Sequence, residues 1–413
     1  MPHSQPGALS ARTSGKRSGK LALTAGYYAM FAAFGLTFSV LGPTLPALAE
    51  LTGSGLQAIS FLFVARSAGS LIGSLLAGPL YDRLPGHGVM AAFLAFIALT
   101  LFLTTSSSLL LALTAVTFLL GLAQGGLNVG GNALLVWVHG QDSAPYMSGL
   151  HFFFGTGSSV APVIVAWSFQ AGGLNWAYWV LALLVLLPIP FLLKLPSPKL
   201  AHAAESSEAN YPERGAASSA ASSRGMLLVA GLVSLFLFCY SGAANCFGGW
   251  VYTYALALNL ADATSAAYLT STFWVALTFG RLIAIPLAMY IHPTRLLWAD
   301  LAGSLLSLAL ILGLPQAPWA IWVGSAGLGL SLASMFPVTV SLAGRSIAVT
   351  GKMAGWFSAG SNLGALILPL VVGQFFEITG PWVLMIVLLV DMFVAVAVLA
   401  LMLRSLRRLE NAM

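Results

Sequence analysis

The sequence predicts an all-α membrane protein whose twelve transmembrane helices form two bundles of six. Composition, the spacing of apolar stretches and the placement of basic residues each point there. Of the 413 residues, 59% are hydrophobic and only 7% are charged, and the mean hydropathy is +0.92. Soluble domains carry about 25% charged residues, so this chain has too little charge to meet water on every side. A helix needs about 20 apolar residues to cross the hydrocarbon core. Such stretches lie at 21–41, 57–80, 88–106, 109–137, 146–170 and 175–194, then at 226–254, 264–291, 296–314, 318–343, 353–376 and 381–403.

The seventeen Lys and Arg residues give a net charge of +6, which in a soluble chain would suggest a nucleic-acid partner. Their positions say otherwise. With the N-terminus taken as cytoplasmic, all of them except Arg66 and Arg281 fall in cytoplasmic tails and loops, whereas the outer loops hold Glu50, Asp262 and Glu377. This is the positive-inside pattern. It predicts a multi-pass protein of the cell membrane with both termini cytoplasmic, and it gives no sign of a nucleic-acid partner.

Residues 1–20 are polar and basic and form an N-terminal tail. The first apolar stretch outruns a signal-peptide core and lacks a small-residue cleavage site, so it is expected to stay as the first helix. Residues 21–194 make the first bundle. The segment 195–225, LPSPKLAHAAESSEANYPERGAASSAASSRG, is too rich in Ala, Ser, Pro and charge to bury a core and reads as a cytoplasmic linker. Residues 226–403 make the second bundle and 404–413 a cytoplasmic tail. Cys239 and Cys246 lie two helical turns apart, about 10 Å by rise, too far for a disulfide.

The halves echo each other. Gly121 and Gly327, Met147 and Met353, and Gly149 and Gly355 are each separated by 206 residues. Repeats related by an axis along the membrane normal mark secondary transporters. The turn GPLYDRLPGHG, residues 78–88, resembles the Gly-x-x-x-Asp-Arg-x-x-Gly signature of the major facilitator superfamily. Gly78 would allow close helix approach. Asp82 would meet a helix N-terminus and Arg83 the carbonyls of a C-terminus, a latch that breaks as the transporter turns over.

The segments APYMSGLHFFFGTGSSVAP (144–162) and TYALALNLADATSAAYLTSTFWVALTFGRLIAIPL (253–287) resemble the sodium-dependent glucose transporter branch of the fucose permease group, the fucose:H+ symporters. The resemblance implies a major facilitator fold and transport of a hexose or similar polar solute, coupled to Na+ or H+. That branch usually has an acidic residue where Asn128 stands. Asn128 cannot ionise, so coupling either lies elsewhere or is absent.

Gln124, Asn128 and Asn132 form a stripe of amides at one-turn spacing on a glycine-thinned helix. An unpaired amide in hydrocarbon is costly. The stripe therefore either bonds neighbouring helices or lines a wet substrate path, where amides serve hydroxyl groups as donor and acceptor. Arg66, in mid-helix, needs a structural partner or an anionic contact. For Arg281, Asp300 is the candidate neighbour. Tyr240, Asn245, Trp250, Trp274, Ser361 and Asn362 fall on helices that line the cavity in the superfamily; Trp and Tyr there would stack on a sugar ring or simply pack. His151 and Asp391 are titratable candidates for cation coupling, each with a structural alternative.

No P-loop spacing and no metal-ligand cluster occurs, so neither an enzyme nor a cofactor is expected. The reading is a monomeric alternating-access transporter in the bilayer with a small-molecule substrate. Its rivals are an exporter of amphiphiles or drugs and a non-transporting receptor or scaffold.

Overall fold

The computed structural model describes residues 7–198, 220–346 and 351–412 and is entirely helical. Most of the linker therefore lies outside the described residues. The helices are α1 (Gly7–Phe38), α2 (Leu41–Thr52), α3 (Leu56–Ile59), α4 (Phe61–Arg83), α5 (Gly86–Thr104), α6 (Leu110–His139), α7 (Ser143–Ala171), α8 (Leu174–Leu186) and α9 (Pro188–Lys194) before the linker. After it come α10 (Ala220–Ala257), α11 (Ala263–Tyr290), α12 (Pro293–Gly313), α13 (Pro318–Leu332), α14 (Met335–Ser346), α15 (Gly351–Thr379) and α16 (Val383–Ala412). Twelve spans are long and apolar enough to cross a membrane. Lipid offers backbone groups no partners, so helices that satisfy their own are the form such stretches take.

Breaks and ends have local causes. The first stretch does not end at residue 41: α1 bends at Ser39 and continues as α2 through Glu50 to Thr52, where Gly53 closes it at φ 58°. Left-handed Gly140, Gly173 and Gly380 turn the chain between later spans. Pro188, Pro293 and Pro318 open helices at the first position. Asp262 caps α11 by accepting the Ser265 N–H at 2.8 Å. Hydrogen bonds from the Ser265 side chain and backbone hold its carboxyl below the usual carboxylate range.

Within each half the helices pack through bare backbone. A Cβ on Gly69 of α4 would lie 2.0 Å from the Phe118 carbonyl oxygen, and one on Gly121 of α6 would lie 2.1 Å from that of Arg66. The helices are nearer than any side chain there would permit. The repeat seen in the sequence recurs in this packing. Gly157 of α7 sits on the Ala32 carbonyl of α1, and Gly364 of α15 sits on the Phe238 carbonyl of α10. The partners are offset by 238 − 32 = 206 and 364 − 157 = 207 residues. Lipid-facing positions are apolar, with Leu75 70%, Leu111 83% and Leu306 70% exposed.

The halves meet through α7 with α11, α3 and α4 with α15, and α2 with α10. Named contacts run from mid-span to the end that carries Gly55, Ala171 and Thr379, called here the far end. The opposite end, which carries Arg83, His139 and Lys194, is the linker end. There α6 packs only on α1, α4, α5 and α7, and α14 only on α10, α12, α13 and α16, among the helix pairs in substantial contact. The two bundles thus close at the far end and part toward the linker end.

Replacing Gly69 with Val should cost about 1–3 kcal/mol through overpacking. Gly231→Ala, where nothing lies within 4 Å of the added Cβ, should be neutral or stabilising by up to about 1 kcal/mol. Melting temperatures of the two variants in detergent should therefore move apart, with only Gly69→Val falling well below the parent.

Candidate functional site

At mid-span the halves enclose a narrow void. The first bundle contributes Phe38, Ser39, Leu41, Gly42, Phe63 and Arg66; the second contributes Asn245, Gly248, Gly249 and Trp274. The bend between α1 and α2 places Phe38, Ser39, Leu41 and Gly42, α4 brings Phe63 and Arg66, and glycines let the second group approach: a Cβ on Gly42 would lie 2.6 Å from the Gly248 carbonyl oxygen. The void is nearly shut, with about 10 Å³ open to the centre of a water molecule.

Arg66 is 6% exposed. Its Nη1 donates to the Phe38 carbonyl oxygen at 2.6 Å, and its Cζ stands 4.6 Å from the centre of the Phe38 ring. Across the void, Trp274 is 5% exposed and meets Phe38 edge-on at 5.9 Å; its indole N–H has no hydrogen-bond partner. Asn245, also on the rim, gives its Nδ2 to the Ser241 carbonyl at 2.8 Å.

The amide stripe divides. Gln124 is buried and donates to the Thr37 hydroxyl at 2.9 Å and the Thr37 carbonyl at 3.2 Å, tying α6 to α1. Asn128 and Asn132 are half-buried and bonded to each other, Asn132 Nδ2 donating to Asn128 Oδ1 at 3.0 Å and to its carbonyl at 2.8 Å. The Asn128 amide donors and the Asn132 amide oxygen have no partner among the described residues.

Other predicted residues lie around or away from the void. Trp250 is fully buried outside it, donating to the Pro369 carbonyl at 3.1 Å and stacked on Phe376 at 5.1 Å. Tyr240 accepts from Arg281 Nη2 at 3.1 Å. The expected Arg281–Asp300 pairing is corrected accordingly: Asp300 instead accepts the Ser334 hydroxyl, joining α12 to the break between α13 and α14. His151 is exposed on the linker side of the α7–α11 seam, its ring edge-on to Phe31 at 6.0 Å and within electrostatic reach of Arg281. Ser361 has a buried hydroxyl without a partner, and Asn362 donates to the Ser358 carbonyl at 2.9 Å. Asp391 of α16 is buried against Cys239 of α10, with one oxygen unpartnered.

In the signature turn, Asp82 and Arg83 are exposed and hydrogen bond to nothing among the described residues. The latch expected of them is unmade at the end where the bundles part. Gly78 faces open space, with nothing within 4 Å of an added Cβ, so close helix approach is not its role in this conformation.

The latch that is made lies at the far end, among polar residues that are scattered along the sequence. Glu377 of α15 accepts the Leu56 N–H at 2.7 Å. Gln57 Nε2 donates to Gln374 Oε1 at 3.0 Å, and Gln374 returns a bond to the Gln57 carbonyl at 3.1 Å. Gln170 donates to the Thr264 hydroxyl at 3.0 Å across the α7–α11 seam.

Two bundles hinged on a mid-span polar void, closed at one end, are the arrangement of an alternating-access carrier. The Major Facilitator Superfamily profile matches residues 27–369. The chain belongs to the major facilitator superfamily. It is similar to sodium-dependent glucose transporter 1A of Mus musculus, 28% identical over 381 residues, covering 84% of this chain and 88% of that one. It also resembles the major facilitator superfamily domain-containing protein 4A of Homo sapiens, 27% identical over 463 residues, covering 90% and 89%. The solved nucleoside transporter NupG shares its fold with a TM-score of 0.71 at 14% identity, covering 94% of this chain and 98% of that one. As a facilitator-superfamily member the chain is a membrane transporter and not an enzyme.

Removing the far-end latch should loosen that end. In a Glu377→Ala, Gln374→Ala background, a cysteine placed at Ser60, which is fully buried beside Gly373, should react with a membrane-impermeant maleimide about tenfold faster, a shift worth about 1.4 kcal/mol. Cys239 and Cys246 are buried and should contribute little background labelling.

Proposed function

We propose that this protein carries a small hydroxylated solute of about hexose size across the cell membrane, with the linker end cytoplasmic and the conformation seen here inward-facing. The observation that carries the reading is the mid-span void, where aromatic faces of Phe38 and Trp274 stand beside polar groups of Arg66 and Asn245. Aromatic rings cover the apolar face of a pyranose while amides and guanidinium serve its hydroxyls. The names of the similar glucose transporters support the same substrate class.

The solute would enter from the linker end past Asn128 and Asn132, whose open amide groups lie on the way. Binding requires the bundles to separate at mid-span, because the void as it stands holds no sugar. Opening the far end would then require the Glu377–Leu56 and Gln57–Gln374 bonds to break and the Asp82–Arg83 latch to form. With Asn128 uncharged, the cation site of the related branch is not reproduced at that position, which supports facilitated diffusion over coupling through His151 or Asp391.

Counterflow in proteoliposomes tests this reading. Vesicles loaded with unlabelled sugar should take up the labelled sugar saturably with no ion gradient imposed. Replacing both Asn128 and Asn132 with Leu should cut that exchange about tenfold, the effect of losing about one hydrogen bond to the solute. Imposed Na+ or pH gradients should leave the plateau unchanged. Accumulation driven by either gradient and lost in Asn128→Ala would overturn the facilitator reading.

A further inference from the structure

We propose that the transported solute bears a carboxylate, which Arg66 and the indole N–H of Trp274 receive, so that the substrate class is a sugar acid and not a neutral hexose. This rests on the hexose-sized reading of the same void.

Arg66 is the starting point. A guanidinium offers five N–H donors and cannot give up its charge. Here one donor is used, on the Phe38 carbonyl, and the Phe38 ring covers part of one face. No carboxylate among the described residues pairs with it. Asp300 is engaged by Ser334, Asp391 by Cys239 and Glu377 by the Leu56 N–H. Glu50, Asp82, Asp142 and Asp262 stand at helix ends, away from mid-span. Tyr178 lies within electrostatic reach of Arg66, but it spends its hydroxyl on Thr44 at 2.9 Å and brings no negative charge. A buried cation left in this state is strongly disfavoured, and only an anion relieves it fully.

The opposite wall points to the same ligand. The Trp274 indole can only donate, it is buried, and its N–H is unpartnered. Trp250, one helix away, shows that a buried indole in this protein does find a carbonyl when none is reserved for a ligand. Two residues with unused donors, one from each bundle, thus line one void, and an acceptor with two oxygens and a negative charge would satisfy both. The approach from the linker end has the same sign. Arg281 stands there with the neutral Tyr240 as its hydrogen-bond partner, and the half-buried Asn128 and Asn132 add no negative charge. A neutral sugar gains little from such a path, whereas an anion is attracted along it.

Counterflow with D-glucose and D-glucuronate, which differ in whether carbon 6 is a hydroxymethyl or a carboxylate, is the test. The wild type should exchange glucuronate at least about tenfold more efficiently than glucose, the difference expected for a charge-assisted pair over neutral bonds. Arg66→Gln should lower the glucuronate-to-glucose ratio about tenfold or more, and Arg66→Lys less; Trp274→Phe, which keeps the ring and removes the donor, should lower it severalfold. A wild type that prefers glucose, or an Arg66→Gln variant that melts normally and keeps the ratio, would overturn the proposal while leaving the sugar reading intact. If neither sugar exchanges, L-lactate decides. Thermal stabilisation of the wild type by lactate, absent in Arg66→Gln, would uphold the carboxylate site and reject the sugar. No stabilisation would reject both.

Discussion

Everything in this structure depends on helices that approach until backbone touches backbone. In lipid no hydrophobic force presses one apolar helix against another, so association relies on close packing and on the few polar bonds between helices. The glycines of α4 and α6, and of α1 with α7 and α10 with α15, supply that closeness in both halves at matching places. Tight pairs make each bundle a stiff unit. Stiffness confines the looseness to the surface between the units, and that is where the void, the far-end latch and the parted linker end are found.

Polar groups inside the bundles are mostly spent on structure. Gln124 ties α6 to α1 through Thr37, Ser39 donates to the Ser158 carbonyl at 2.6 Å, and Trp250 fastens α10 to α15 through Pro369. These bonds hold Arg66 and Trp274 in place without using their remaining donors. The difference between Trp250 and Trp274 is the clearest case: both indoles meet a phenylalanine of the first bundle, but the Trp250 N–H is spent on Pro369 whereas that of Trp274 is unpartnered.

The fold was legible in the sequence because the bilayer imposes a length and a polarity that single stretches must meet, and the two halves repeat at a fixed offset. Within spans, the bend at Ser39 and the break near Ala333 carry only local marks, Gly42-Pro43 and Ser334 with Pro337, which inside a long apolar stretch do not say whether a helix kinks or ends. Among candidate site residues, Arg66, Asn245 and Trp274 converge on the void. Gln124 and Trp250 do not, because residue type cannot tell an amide or indole bonded within a bundle from one facing the gap. Phe38, Ser39 and Phe63 escaped notice as ordinary apolar or small residues. Gly78 was a motif match whose proposed packing role the open space beside it does not support in this conformation. The Arg281–Asp300 pairing failed for a simple reason: Tyr240 is nearer to Arg281 and Ser334 claims Asp300.

The far-end bonds also set how the two sides of the carrier sense their solute. The start of α3, held to the end of α15 by Glu377 and the Gln57–Gln374 exchange, biases the empty protein toward a single state, and the open Asp82–Arg83 turn offers nothing of equal weight against it. A solute arriving at the linker end meets a receptive protein at once. One arriving at the far end must wait for a minority population, and its apparent Kd is the intrinsic one divided by that fraction. A carrier with identical contacts to its cargo in both states would then still show unequal half-saturation on its two faces, an asymmetry written into a latch that never touches the cargo.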